Sequence, residues 1–154
     1  MSQMYSFSIF NRAGTCIFYL KGGENSNLSI SRKDEDEARK LVFGMTFSLR
    51  NLCGKLSPDG SENLQVLRTN NFAIHHFMSA SGLVFILFTD ASCPNQYTRL
   101  KAVYAGLYTE YVSKNILFEG QNVSIESPVF HKKCSEFFGV TSATPGTPIN
   151  KAQV

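Results

Sequence analysis

Residues 83–90 read "LVFILFTD", and no polar side chain interrupts the run from Leu83 to Phe88. The run is strand-length and rich in β-branched and aromatic residues. Successive side chains of a strand point to opposite faces. A strand apolar at every position therefore has no face to give to water, and it belongs inside a sheet covered on both sides. This stretch predicts a sheet between two layers of helix.

The neighbouring segments supply the rest of that sheet. "FAIHHFM" at 72–78 reads as a strand, joined to 83–90 by the turn "SASG" at 79–82. "NLQVLRT" at 63–69 precedes it across Asn70-Asn71, a pair suited to left-handed geometry in a two-residue hairpin. At the start of the chain, "MYSFSIF" (4–10) alternates apolar and polar, "NRAG" (11–14) turns, and "TCIFYL" (15–20) returns. Gly14 supplies the positive φ of that turn.

Helical spacing fills the remainder. The first helix is expected over 34–56, with Ser31 and Asp34 resembling a capping box. Its first turn holds Asp34, Glu35, Asp36 and Glu37, where the helix dipole favours negative charge, and "SPDG" at 57–60 ends it. A second helix spans 96–114, with Tyr97, Leu100, Val103, Tyr104, Leu107, Tyr108 and Tyr111 on one face. A third spans 126–138, opened by Ser127 and Pro128. The order is β-β-α-β-β-β-α-α. This is an α+β chain, an α-β-α sandwich around a five-stranded antiparallel sheet. We expect one domain over 1–139 and a disordered Pro/Gly/Thr-rich tail over 140–154.

Composition narrows the function classes. Across 154 residues the net charge is only +3, with no block of Lys/Arg to focus a field on nucleic acid. The 4 cysteines are scattered without a C-x-x-C pair, which reads as reduced thiols in a cytosolic protein. "MSQMYSFSIF" lacks the basic and long apolar regions of a signal peptide, and no run is long enough to span a bilayer. Asn27-Leu28-Ser29 and Asn122-Val123-Ser124 are then chance sequons.

Catalytic patterns are missing as well. His75 and His76 are neighbours on a strand, so they face opposite ways and share no metal. His131 and Cys134 lie one helical turn apart, but nothing nearby supplies further ligands. No phosphate loop or nucleophile elbow is present, and Asp90 reads as capping the loop after its strand. We expect no catalytic residues, no metal and no cofactor.

The first helix poses the remaining question, because "LVFGMTFSLR" at 41–50 is apolar on more than one side. At about 100° per residue, Leu41, Val42, Met45, Leu49, Leu52, Cys53 and Leu56 fall in one arc, which we expect to be the core face. Phe43 and Phe47 fall together on the far side, in mutual contact, with Gly44 and Gly54 on the same half and Arg50 beside them. Small residues admit another backbone, and aromatics and Arg are favoured interface anchors. Phe43, Gly44, Phe47, Arg50 and Lys55 are the candidate partner-binding residues.

Four stretches together resemble a known family. These are "YSFSIFNRAGTCIFY" with its Asn-Arg-x-Gly turn, "ARKLVFGMTFSLRNLCGKLSP", "LRTNNFAIHHFMSASGLVFILFTD" and "VYAGLYTEYVSKN". In order and spacing they are similar to the small longin-type subunits of the TRAPP vesicle-tethering complex, over roughly residues 4–138. The resemblance implies a longin/profilin-like fold and a non-enzymatic core subunit acting in endoplasmic reticulum-to-Golgi transport. It implies pairing with a second longin-type subunit, and a share in the platform that promotes nucleotide exchange on a Rab-type GTPase. It implies a cytoplasmic protein, held at endoplasmic reticulum and Golgi membranes only through its complex. It also implies that the strand at 15–20 lies at a sheet edge, where it could pair with another chain. The segment 22–33 and the tail after 139 match nothing in that family. Two alternatives stay open: an adaptor small chain of longin fold, or a small-ligand sensor of profilin-like fold. A vesicle SNARE would need a heptad helix and a membrane anchor after the domain, and the residues to 154 carry neither.

Overall fold

The computed structural model describes residues 4–22, 32–59, 64–113, 125 and 127–138. The expected Ser31–Asp34 cap, the 22–33 loop beyond residue 22 and the 140–154 tail lie outside the described residues or side chains. Five strands form one sheet: β1 (Met4–Phe10), β2 (Cys16–Lys21), β3 (Val66–Arg68), β4 (Phe72–Met78) and β5 (Val84–Asp90). All neighbours are antiparallel, in the order β2-β1-β5-β4-β3. The continuously apolar β5 is central, as its two-sided character requires. Helix α1 (Arg32–Leu56) joins β2 to β3, and helices α2 (Tyr97–Ala102) and α3 (Pro128–Phe138) follow the sheet.

Register explains how the two faces are filled. Leu20, Phe7, Leu87 and His75 align across four strands, as do Phe18, Ile9, Phe85 and Phe77. These rows face α2 and α3, and they merge with Leu100, Val103, Tyr108, Phe130 and Cys134 into the larger core. The opposite face carries Phe10, Ile74, Val84 and Ile86, packed by Val42 and Phe43 from α1. The α-β-α sandwich expected from the two-sided apolar strands is thus the observed architecture.

Local chemistry sets several boundaries. Gly14 and Gly82 take φ of 87° and 92° in the two turns at one end of the sheet. The Ser127 hydroxyl accepts from the Phe130 amide at 3.3 Å, and so caps α3 with Pro128 in its first turn. The Asn70-Asn71 turn differs from expectation, since no described residue other than glycine has positive φ. Thr69 closes that turn instead, its hydroxyl accepting from the Phe72 amide at 3.1 Å. The Thr69 amide also donates to the Phe72 carbonyl at 2.9 Å, and β3 itself is shorter than the expected 63–69.

The second helix also departs from a simple 3.6-residue period. Past Ala102 it continues as a π-helical segment, Val103–Ser113. Its buried residues are Val103, Tyr108 and Val112, with Tyr104, Leu107 and Tyr111 only partly covered. The step of five from Val103 to Tyr108 matches i→i+5 winding. It brings Val112, which α-helical spacing leaves off the apolar face, into the core.

His75 ties the layers together. The Gln96 amide donates to its Nδ1 at 3.2 Å, so the ring proton sits on Nε2 and faces the Thr89 hydroxyl at 2.8 Å. Burial, with the Arg68 charge as a lesser cause, pushes its pKa down from 6.5 to about 4. Between these values the unfolded chain binds a proton that the folded chain refuses, so stability falls as pH drops through this window. His76, lowered by burial on the other face, acts in the same direction. Urea unfolding should show His75 contributing a loss of up to about 3 kcal/mol between pH 7 and pH 4. His75→Asn should reduce that slope.

Two glycines give opposite predictions. A Cβ on Gly14 would lie 2.9 Å from a ring carbon of Phe43, at positive φ, whereas one on Gly44 would meet nothing within 4 Å. Denaturant midpoints should show Gly14→Ala destabilising by about 1–3 kcal/mol. Gly44→Ala should stabilise by about 0.5–1 kcal/mol.

Candidate interaction surface

Helix α1 does not seat on the sheet by its leucine arc. The most buried of its described residues is Thr46, 1% exposed, whose hydroxyl lies 2.9 Å from the Val42 carbonyl and 3.0 Å from that of Phe43. Val42, Phe43, Leu49, Arg50 and Cys53 are half-buried around it. The Phe43 ring stands 5.4 Å from that of Phe10 and against Gly14. The seat thus lies between the two apolar sides of the helix. The sheet face below already holds the large side chains Phe10, Ile74, Val84 and Ile86. A small residue at the point of contact lets the helix backbone come down between them, and Phe43 fills the space beside Phe10.

Both flanks consequently face outward. Leu41 (74% exposed), Leu56 (73%), Leu52 (50%) and Met45 (39%) form one flank, and Phe47 (51%) lies on the other. The expected core face is corrected by this rotation. Of its members only Val42, Leu49 and Cys53 turn toward the sheet, and Leu41, Met45, Leu52 and Leu56 do not.

The candidate partner-binding residues divide in the same way. Phe43 and Phe47 stack at 6.2 Å, as expected, but Phe43 belongs largely to the domain's own packing. Phe47, Gly44 and Lys55 are exposed. Arg50 is half-buried, and its charge adds to the lowering of the His76 pKa, so it sits on the sheet-facing side rather than outward. The sequence reading missed Leu41, Met45, Leu52 and Leu56 as surface. Their place in the widest apolar arc made them look like core.

Strand β2 lies at the sheet edge as expected. Part of that edge is already taken within the chain, because the Ile125 amide donates to the Ile17 carbonyl at 2.7 Å. Across the N-terminal half of α1, the Arg39 guanidinium lies over the Tyr19 ring at 4.3 Å and pairs with Asp36 at 3.2 Å. The groups considered for chemistry have structural surroundings. Burial pushes the Cys134 thiol up to about 12, and His131 packs edge-on to Phe18. Among the described residues no group of three or more His, Cys, Asp or Glu converges as a metal site would require.

The two phenylalanines should separate experimentally. Phe43→Ser opens space beside Phe10 and should cost about 2–4 kcal/mol in urea unfolding. Phe47→Ser should change stability by no more than about 0.5 kcal/mol. Equal losses would contradict the observed rotation of α1.

Comparison with known proteins places this geometry in a family. The model of the Sybindin-like family matches residues 4–141. The chain is 35% identical over 118 residues to trafficking protein particle complex subunit BET5 of Saccharomyces cerevisiae, covering 74% of each chain. It is 31% identical to trafficking protein particle complex subunit 1 of Dictyostelium discoideum, covering 76% of this chain and 82% of that one. For subunit 1 of Homo sapiens the identity is 29%, over 80% and 84% of the two chains. Among solved structures, gliding protein MglB of Thermus thermophilus aligns at a TM-score of 0.44 and 14% identity, covering 66% of this chain and 72% of that one. With the whole described fold inside the matched span, the chain belongs to the Sybindin-like family.

Proposed function

We propose that this chain is a non-catalytic core subunit of a trafficking protein particle (TRAPP) complex, acting in vesicle tethering between endoplasmic reticulum and Golgi. In this reading it binds a second longin-type subunit and adds surface to the platform for nucleotide exchange on a Rab-type GTPase. It is cytoplasmic and reaches membranes only through the complex. No helix among the described residues is long and apolar enough to cross a membrane.

The observation that carries the reading is the outward side of α1. A helix that belongs to the fold normally hides its apolar residues, yet this one presents Phe47 beside Gly44 and Lys55, with a leucine flank adjoining. An exposed aromatic next to a residue without a side chain suits a protein partner, with the ring as anchor and the gap admitting a backbone. Relatives named as subunits of one complex agree with that use. The buried histidines and the Cys134 thiol serve packing and hydrogen bonding, so they add no support for catalysis.

Affinity purification of the tagged chain from its own cells, followed by mass spectrometry, tests the class. Other TRAPP subunits should be recovered. Recovery of clathrin-adaptor large chains instead, or of no subunit partner, would overturn it. Within the complex, Phe47→Ser with Lys55→Glu should reduce recovery of the neighbouring longin-type subunit about tenfold or more, as expected when an interface anchor is lost. Undiminished recovery would remove these residues from the interface.

A further inference from the structure

The leucine flank of α1 has a symmetry of its own. Leu41 and Leu56 are exposed at its ends, and Met45 and Leu52 are exposed inside them. Both pairs share one midpoint, between Ser48 and Leu49. At about 100° per residue all four lie within an arc of about 60°, so they form a straight apolar ridge about 22 Å long. Such a ridge reads the same from either end. A surface of that kind is self-complementary about a two-fold axis, which is the requirement for an isologous contact.

Charge follows the same symmetry. Glu37 and Lys55, both exposed, are eighteen residues apart, close to five full turns, and therefore lie in line along one border of the ridge. In an antiparallel pair the same border of each helix meets its counterpart. With the axis at the shared midpoint, Leu41 of one copy faces Leu56 of the other, and Met45 faces Leu52. Lys55 then lies about 7.5 Å along the axis from Glu37 of the second copy, inside the ~10 Å over which charges act at ordinary salt. A parallel pair would put the two Glu37–Lys55 borders on opposite sides of the contact, so these charges would not meet. It would also align the two helix dipoles, which antiparallel packing opposes favourably.

We infer that, outside its complex, the chain forms a weak two-fold dimer with a second copy of itself, α1 packing antiparallel on α1 through Leu41, Met45, Leu52 and Leu56. One helix face is small beside the roughly 1,200 Å² of a stable interface, so the dimer is transient and dissociates in the micromolar range or above. The inference concerns the purified chain alone and stands apart from the proposed role in TRAPP. A second copy on the ridge would also shield it until a different subunit competes.

Sedimentation velocity of the purified full-length chain tests this. The weight-average mass should rise with concentration from 17.2 kDa toward twice that value. Leu41→Ser with Leu56→Ser should remain monomeric at concentrations where the native chain is mostly dimeric, with unchanged circular dichroism. Lys55→Glu should weaken the dimer about two- to fivefold, and adding Glu37→Lys should restore it. A chain monomeric at every concentration would overturn the dimer, as would a dimer indifferent to the leucine changes. Failure of the charge swap to restore association would overturn the antiparallel register.

Discussion

The contact between Phe43 and the Phe10–Gly14 end of the β1–β2 hairpin fixes the rotation of α1, and much of the surface follows from that rotation. Phe43 can reach Phe10 only because Gly14 has no side chain. Thr46 can lie at the bottom of the seat because it is small and returns its hydroxyl to its own helix. With those two residues placed, Leu41, Met45, Leu52 and Leu56 have nowhere to go but outward on one side, and Phe47 on the other. The exposed ridge is thus a geometric result of how the helix is docked. It is not an excess of apolar residues scattered at random.

The opposite face of the sheet is built differently. There the rows from Phe7, Ile9, Phe85 and Phe77 meet two helices, and the aromatic rings Tyr104, Tyr108 and Phe130 interleave with them. His75 joins that layer to the sheet by accepting from the Gln96 backbone while facing Thr89. One side of the molecule therefore closes on itself, and the other closes only along the middle of α1. A subunit that must fold and then assemble needs such a division, with one complete core and one helix still offering apolar surface.

Much of the fold was legible because strand patterns report burial directly. "LVFILFTD" could only be central, and β1, β2 and β4 followed from alternation and turn residues. The rotation of α1 was not legible, for a physical reason. Its apolar residues cover more of the circumference than a sheet can bury, so a helical wheel shows several plausible seats and no preference among them. The choice depends on the side chains of Phe10 and Gly14, remote in sequence. For that reason Phe47, Gly44 and Lys55 were correctly read as exposed, whereas Phe43 and Arg50 were not. Val112 was missed because the end of the second helix winds with a longer period than the one assumed. Thr69 was missed because a hydroxyl can close a turn that its asparagines only suggest.

The central claim is the azimuth of α1, and a soluble paramagnetic probe added to methyl-labelled chain measures it directly. At dilution that keeps the chain monomeric, the methyls of Leu41, Met45, Leu52 and Leu56 should broaden strongly, those of Val42 and Leu49 less, and those of Leu87 and Ile86 least. Protection of Leu41, Met45 and Leu52 to the level of Leu87 would contradict the account, because the leucine flank would then be the core face.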